Sequence, residues 1–288
     1  MTATLPRLGF IGVGAMGLPM AHNLLSAGYP LTFCTRRDAA AEALEGAGGE
    51  RVADAVALLG EGGAISALRP GATIIELSTA SPEIVRALAE VGAPRGIAVL
   101  DAPVSGGVGG AEAASLSIMV GGDAAILERH RPILAALGQQ IYHVGPVGMG
   151  KIFKLCNQYL NGATTALVGE ALTLGAKAGA DLALLVEVIA SSSGASRALT
   201  GAAPALLAAT PPPVGFRLDL MRKDVGLALA FGADVGVPLA TGAVAHQLYT
   251  AASASGLGGR NHTELGKLFA RLAGTDLSAG DEAADDRT

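Results

Sequence analysis

Apolar and polar positions along this chain change character once, near Met149. Before it, short apolar runs of strand length alternate with stretches whose apolar residues recur at helical spacing. The strand-like runs are Leu8–Ile11, Leu31–Thr35, Arg51–Val52, Thr73–Leu77, Val99–Pro103, Leu116–Val120 and Gln140–Val144. Helical patterns cover Met16–Ala27, Asp38–Ala47, Pro82–Val91 and a segment that Asp123 would cap and that runs to Leu137. Ser81-Pro82-Glu83 reads as a helix start, with Ser at the N-cap and Pro at the first helical position. After Met149 no strand is expected. Lys151 to Gly179 forms one long helical pattern, and further helical stretches are separated by Ser191–Gly194, Pro211–Pro213, Gly236–Pro238 and Gly256–Gly259. The pattern predicts a Rossmann-type, doubly wound α/β domain over 1–147. An all-α domain over 148–277 follows, joined to it by a long interdomain helix, with an acidic, disordered tail over 278–288.

The first strand–helix junction carries Gly12-x-Gly14-x-x-Gly17. In a dinucleotide site Gly12 makes the tight turn, Gly14 lets backbone N–H groups approach a pyrophosphate, and Gly17 lets helix and strand pack closely. The whole loop, Ala15 and Met16 included, would face the phosphates at a helix N-terminus. With 41 glycines in 288 residues the spacing alone is weak, but here a strand precedes it and a helix follows, ended by Gly28. At the end of the second strand stand Thr35-Arg36-Arg37, then Asp38. Forked cations at that position suit the 2′-phosphate of NADP, and NAD is the alternative; a solvated basic turn would read the same way.

The strand count runs short between Arg37 and Thr73. A Rossmann half needs about 30 residues per βαβ step, and there is room for little more than one of the two steps required. Either one strand and one helix are lacking, or a segment is missing between Asp54 and Ala55. The first case predicts flanking strands that close up; the second predicts Asp54 and Ala55 farther apart than the ~3.8 Å of bonded neighbours.

Composition excludes more than it assigns. A net charge of −5 gives no reason to expect nucleic-acid binding. The longest uncharged run, Ala198–Phe216, is broken by glycine and prolines, so no membrane span is expected. Two cysteines, Cys34 and Cys156, and an N-terminal segment without a signal-peptide core fit a cytoplasmic protein. The five histidines lack metal-ligand spacing, and no metal is expected.

Three more places offer chemistry. Ser105-Gly106-Gly107 follows a strand end, where a hydroxyl and two open backbone donors would hold a carboxylate; a flexible loop reads equally well. Lys154 shares a helix face with Asn157 and Gln158, and would point into an interdomain cleft as a proton donor, or else lie on a solvated face. Arg222-Lys223-Asp224 follows an apolar run and reads as a solvated turn or helix start unless the fold returns it to the cleft.

Together these residues resemble the 3-hydroxyisobutyrate dehydrogenase family of β-hydroxyacid dehydrogenases across nearly the whole chain. Gly9–Ala21 is similar to its cofactor fingerprint, Asp101–Gly107 to its substrate-loop signature, Gly148–Asn157 to its catalytic-helix motif and Lys223-Asp224 to its C-terminal Lys-Asp. The resemblance implies a catalytic Lys154, a substrate carboxylate held by Ser105, Gly106 and Gly107, and a substrate contact at Asn157. It also implies cofactor contacts at Thr79 and Lys223 and a homodimer or homotetramer through the α domain. Arg36 falls where NADP-using members carry arginine. Gln158 stands where many members have a second Asn, and the strand shortage departs from the family. The implied activity is hydride transfer between NADP(H) and a small carboxylated hydroxyacid, aldehyde or ketone. Glyoxylate, succinic, tartronate and methylmalonate semialdehydes all qualify. An imine reductase-like enzyme and a non-catalytic nucleotide-binding protein are the rivals.

Overall fold

The computed structural model describes residues 5–52, 68–210 and 213–278. The chain divides into two compact units, Met1–Lys154 and Leu155–Thr288.

In the N-terminal unit, β1 (Leu8–Ile11), β2 (Leu31–Cys34) and β3 (Glu50–Val52) form a parallel sheet in that order, with Leu8 opposite Leu31 and Thr32 opposite Glu50. Helix α1 (Gly17–Ser26) links β1 to β2 and α2 (Asp38–Gly46) links β2 to β3. Alternation along β2 is clean, with Leu31 and Phe33 buried, as expected of a strand facing a core. Gly28, at φ +86°, ends α1: its N–H reaches Leu25 O at 2.8 Å and Tyr29 N–H reaches Leu24 O at 3.1 Å.

A second sheet begins with β4 (Thr73–Glu76), parallel to β5 (Ala98–Asp101) across helix α3 (Pro82–Gly92). Strand β7 (Ser117–Gly121) meets β5 antiparallel at Asp101–Gly121, and is flanked by β6 (Val104–Ser105, antiparallel) and β8 (Gln140–Gly145, parallel). Helix α4 (Gly107–Glu112) fills the β6–β7 connection, and α5 (Ala124–Ala135) joins β7 to β8. Asp123 caps α5 as expected, its side chain accepting from Ile126 N–H at 3.0 Å. Ser81 sits at the N-cap of α3 with extended backbone but makes no side-chain cap bond. Ser105-Gly106-Gly107, for which a flexible loop reads equally well in sequence, is instead the end of a short strand and the start of a helix: Ser105 pairs with Ser117, a non-local partner that local pattern does not reveal. One apolar core serves both sheets, with Phe10, Leu24, Phe33 and Leu44 joining Leu100, Leu116, Ile118 and Leu134.

Among the described residues β1 and β4 belong to separate sheets, with no ladder between them. The flanking strands therefore do not close up, and Ile11 at the end of β1 is 50% exposed. The Asp54–Ala55 junction lies outside the described residues, as does the acidic tail beyond Ser278.

The C-terminal unit is helical: α6 (Met149–Lys177, whose first turns belong to the N-terminal unit), α7 (Leu182–Ala190), α8 (Arg197–Leu207), α9 (Leu218–Asp234), α10 (Ala240–Ala252) and α11 (Leu265–Ala273). Its helices end near the glycine, serine and proline clusters of the sequence. Small residues along α6 allow close packing: a Cβ on Gly169 would stand 2.9 Å from the Cα of Gly266 at the start of α11. Apolar residues of α6, α9, α10 and α11 converge on Met221, Val225, Tyr249, Leu265 and Phe269.

Candidate active site

In the N-terminal unit, the loop from Gly12 to Gly17 has the backbone that a dinucleotide requires. Gly12 sits at φ +95°, a conformation that side chains resist, and its carbonyl accepts from Gly14 N–H at 2.7 Å. A Cβ on Gly17 would collide with Gly12 O and lie 3.2 Å from the Phe10 ring, so the turn can close onto the helix only with glycine there. Gly14 and Ala15 are exposed and Met16 half-buried. Helix α1 starts without a side-chain cap and without an acidic residue in its first turn. Leu18 N–H reaches Gly14 O at 3.0 Å and Pro19 carries no N–H, so it is the positive dipole end, with the open glycine turn before it, that fits a pyrophosphate.

A third arginine joins Arg36 and Arg37 at the end of β2. Arg37 donates to Val13 O at 2.6 Å, tying this turn to the fingerprint loop, and its N–H reaches Thr35 Oγ1 at 3.2 Å. Arg36 is exposed. Arg51, from β3, pairs with Asp38 at 3.2 Å and donates to Thr35 O. The Asp38 carboxylate beside the strand end is thus paired with this third arginine. Arg51 was visible as a strand residue, but only β2–β3 pairing places it here.

Buried Asp101 and Lys151 and partly buried Glu76 form an ionic cluster in the same unit. The Asp101 side chain, fully buried, accepts from Gly148 N–H at 2.8 Å and Lys151 N–H at 2.9 Å, capping the first turn of α6 from the end of β5. Burial pushes its carboxyl above the ordinary value, against the pull of those two N–H groups and the Lys151 charge. The Lys151 ammonium, also fully buried, donates to Ser78 O at 2.6 Å and Glu76 O at 3.1 Å and pairs with the Glu76 carboxylate. Sequence pattern gave no reason to single out this lysine.

Thr79 is half-buried just beyond β4, Ser105 ends β6, and Gly106 and Gly107, at φ +142° and +66°, turn the chain into α4. Lys154 is only 6% exposed. A solvated helix face is therefore excluded for it, because an ammonium is buried only where polar partners or a site receive it.

In the C-terminal unit, Asn157 donates to Gln158 Oε1 at 3.2 Å, and Gln158 donates to Asp224 Oδ2 at 2.7 Å. Asp224, 2% exposed, also pairs with Lys223 at 3.0 Å. Arg222–Asp224 is thus neither a solvated turn nor a helix start: it lies inside α9, where helical spacing buries Asp224 and leaves Lys223 half-exposed.

Among the described residues no group of His, Cys, Asp and Glu could hold a metal ion, and no helix is long and apolar enough to cross a membrane.

Comparison with known proteins matches both units. The family model for the NAD binding domain of 6-phosphogluconate dehydrogenase covers residues 7–59 and 53–145, and that described as NAD-binding of NADP-dependent 3-hydroxyisobutyrate dehydrogenase covers 148–269. The chain is 37% identical to 2-(hydroxymethyl)glutarate dehydrogenase of Eubacterium barkeri, covering 95% of this chain and 98% of that enzyme. It is 38% identical to 3-hydroxyisobutyrate dehydrogenase of Pseudomonas aeruginosa, over 84% and 91%. Among solved structures, 3-hydroxyisobutyrate dehydrogenase of Mycobacterium tuberculosis with L-serine superposes at a TM-score of 0.81, with 29% identity over 92% of this chain and 99% of that one. The alignment with the E. barkeri enzyme also contains positions that this chain lacks. It spans 295 positions, whereas 95% of 288 residues is about 274, so about 21 positions have no residue here. The two matches to the first family model meet at 53–59, where the strand count fails.

Proposed function

Because the chain belongs to the 3-hydroxyisobutyrate dehydrogenase family of β-hydroxyacid dehydrogenases, whose named members here are dehydrogenases and reductases, we propose that it is an NADP(H)-dependent enzyme of small carboxylated substrates. The substrate would be a β-hydroxyacid, or a semialdehyde or keto acid such as glyoxylate or succinic semialdehyde. The observation that carries the reading is the buried ammonium of Lys154, one helical turn from Asn157 on α6.

The bound nicotinamide would supply or accept a hydride at its C4. The chain's own residues do the rest. The Gly12–Gly17 loop and the start of α1 hold the diphosphate, and Thr35, Arg36 and Arg37, with Arg51 neutralising Asp38, receive a 2′-phosphate. Ser105 with the N–H groups of Gly106 and Gly107 holds the substrate carboxylate. Lys154 donates a proton to the substrate oxygen as the carbonyl carbon gains hydride, and takes that proton back in oxidation. Asn157 fixes the substrate's orientation. Thr79 and Lys223 are assigned to the cofactor on the family motifs.

A homodimer or homotetramer through the helical unit belongs to the same proposal. Leu160, Leu167 and Leu174 recur every seven residues along α6 and are 64%, 55% and 73% exposed, and Leu184 and Val188 are exposed on α7. Such a stripe on a long helix suits a second copy of this chain. A cytoplasmic location rests on the low cysteine content.

NADPH oxidation measured with glyoxylate, the semialdehydes and cyclic imines tests the reading. Turnover of carboxylated aldehydes supports it. Turnover of imines alone would favour an imine reductase, and cofactor binding without turnover a non-catalytic protein.

A further inference from the structure

The cluster of Glu76, Asp101 and Lys151 joins three segments that the proposed function uses separately. Asp101 ends β5, four residues before Ser105; Glu76 ends β4, three residues before Thr79; Lys151 stands one turn before Lys154 on α6. Each tie is direct. The Asp101 carboxylate takes the backbone N–H of Gly148, just before α6, and that of Lys151 in its first turn, and the Lys151 ammonium takes two backbone carbonyls and a carboxylate at the exit of β4. The space is built around them. A Cβ on Gly150 would come 2.8 Å from Asp101 Oδ2, and a Cβ on Gly121 would collide with Asp101 Oδ1, so glycines line both sides of the carboxylate.

Stability alone is a poor reason for such an arrangement. Burying Asp101 and Lys151, with Glu76 partly buried beside them, costs desolvation that an apolar trio of similar volume avoids, and such replacements are often neutral or stabilising. What the ionic cluster adds is direction. Its hydrogen bonds fix the rotation and axial position of the first turn of α6 against the backbone at the ends of β4 and β5. Residues three apart on a helix share a face, so fixing Lys151 fixes the root of the Lys154 side chain.

We propose that Lys151, held by Glu76 and the capped turn, is a positioning residue that sets the place of Lys154 relative to the β4 and β5 exit loops. The proposal rests on the reading of Lys154 as proton donor, and a double-mutant cycle separates the two. Lys154→Ala, Lys151→Met and the double variant are compared for kcat per folded molecule, with circular dichroism and thermal melting as folding controls. Lys154→Ala is expected to lose ~10²–10⁴ in kcat. Lys151→Met is expected to lose about 10- to 100-fold in the Lys154 background, the scale of a misplaced reacting group. In the Lys154→Ala background Lys151→Met should change kcat by less than about two-fold, because a residue that acts through another has no effect once that one is gone. A merely structural lysine gives losses that multiply in both backgrounds, and that result would overturn the proposal. Should Lys151→Met fail to fold, Glu76→Gln decides by the same cycle, since it keeps size and both carbonyl acceptors of Lys151. A loss near three- to ten-fold, absent without Lys154, supports the proposal; unchanged or multiplying kcat overturns it. If Lys154→Ala turns over like the wild type, the proton-donor reading fails first and this inference falls with it.

Discussion

The carboxylate of Asp224 accepts a 2.7 Å hydrogen bond from the side-chain amide of Gln158, 66 positions earlier in the chain. An ionised carboxylate can only accept, so the nitrogen of Gln158 must face it. The amide oxygen then faces Asn157, whose Nδ2 donates to it at 3.2 Å. Among the described residues, one N–H of Asn157 is used, and its carbonyl oxygen and second N–H remain for another partner. Gln158 thus links Asn157 to the buried Asp224.

Gln158→Met removes this support while leaving the Lys223–Asp224 pair in place. The KM of the carboxylated substrate is expected to rise about 5- to 20-fold, the scale of one lost hydrogen bond. The Kd of NADPH, read by fluorescence titration, should stay within about two-fold. Equal weakening of both would show that the pair does not serve the substrate in particular.

Lys154→Ala should retain NADPH binding by the same titration while losing turnover. Lost cofactor affinity would make Lys154 a structural residue, and unchanged turnover would place the proton donor elsewhere.

Arg36→Ala is expected to raise the KM for NADPH by ten-fold or more, the usual scale for a charged hydrogen bond, and to leave that for NADH nearly unchanged. Arg51→Ala should act in the same direction more weakly, by releasing the Asp38 carboxylate from its 3.2 Å partner. Equal effects on both cofactors would refute selection of the 2′-phosphate.

Acid should destabilise the helical unit through His262. Its ring stands edge-on to Phe216 at 5.6 Å, and burial pushes its pKa from 6.5 down to about 4. Between those values the unfolded chain binds a proton that the native one does not. Stability is therefore full above pH 6.5 and falls as pH drops toward 4, by about 2–3 kcal/mol from this group. His262→Asn should flatten that part of the profile in urea titrations at pH 7 and 4.5. An unchanged slope would assign it to other groups.

Among the described residues β1 and β4 each lack a ladder partner on one edge, which predicts a measurable weakness. Unpaired backbone groups out of contact with water cost ~1–3 kcal/mol each. Inserting the corresponding segment of the E. barkeri enzyme at 53–59 should raise Tm by ~2–4 °C per kcal/mol recovered and slow hydrogen exchange in both strands. An unchanged Tm would mean that the edges are already satisfied.

Local sequence determined the elements and the cofactor turn of this protein. Gly12, Gly17 and Gly28 are required by backbone angles or by a contact within a few residues, so their spacing announces them. Strand and helix lengths obey arithmetic that needs no contacts, so the expectation of a shortage between Arg37 and Thr73 also came from sequence alone; the Asp54–Ala55 junction it concerns lies outside the described residues. Tertiary structure decided the rest. Asp101 caps a helix 47 residues away, Arg51 neutralises Asp38 from the next strand, and Ser105 becomes a strand residue only by meeting Ser117. Lys151 and Lys154 look alike in the sequence, each a lysine among apolar neighbours. What distinguishes them is which carbonyls and carboxylates the folded chain brings within hydrogen-bond reach. A buried charge is tolerated only where such partners converge, and convergence is a property of the fold, not of local spacing.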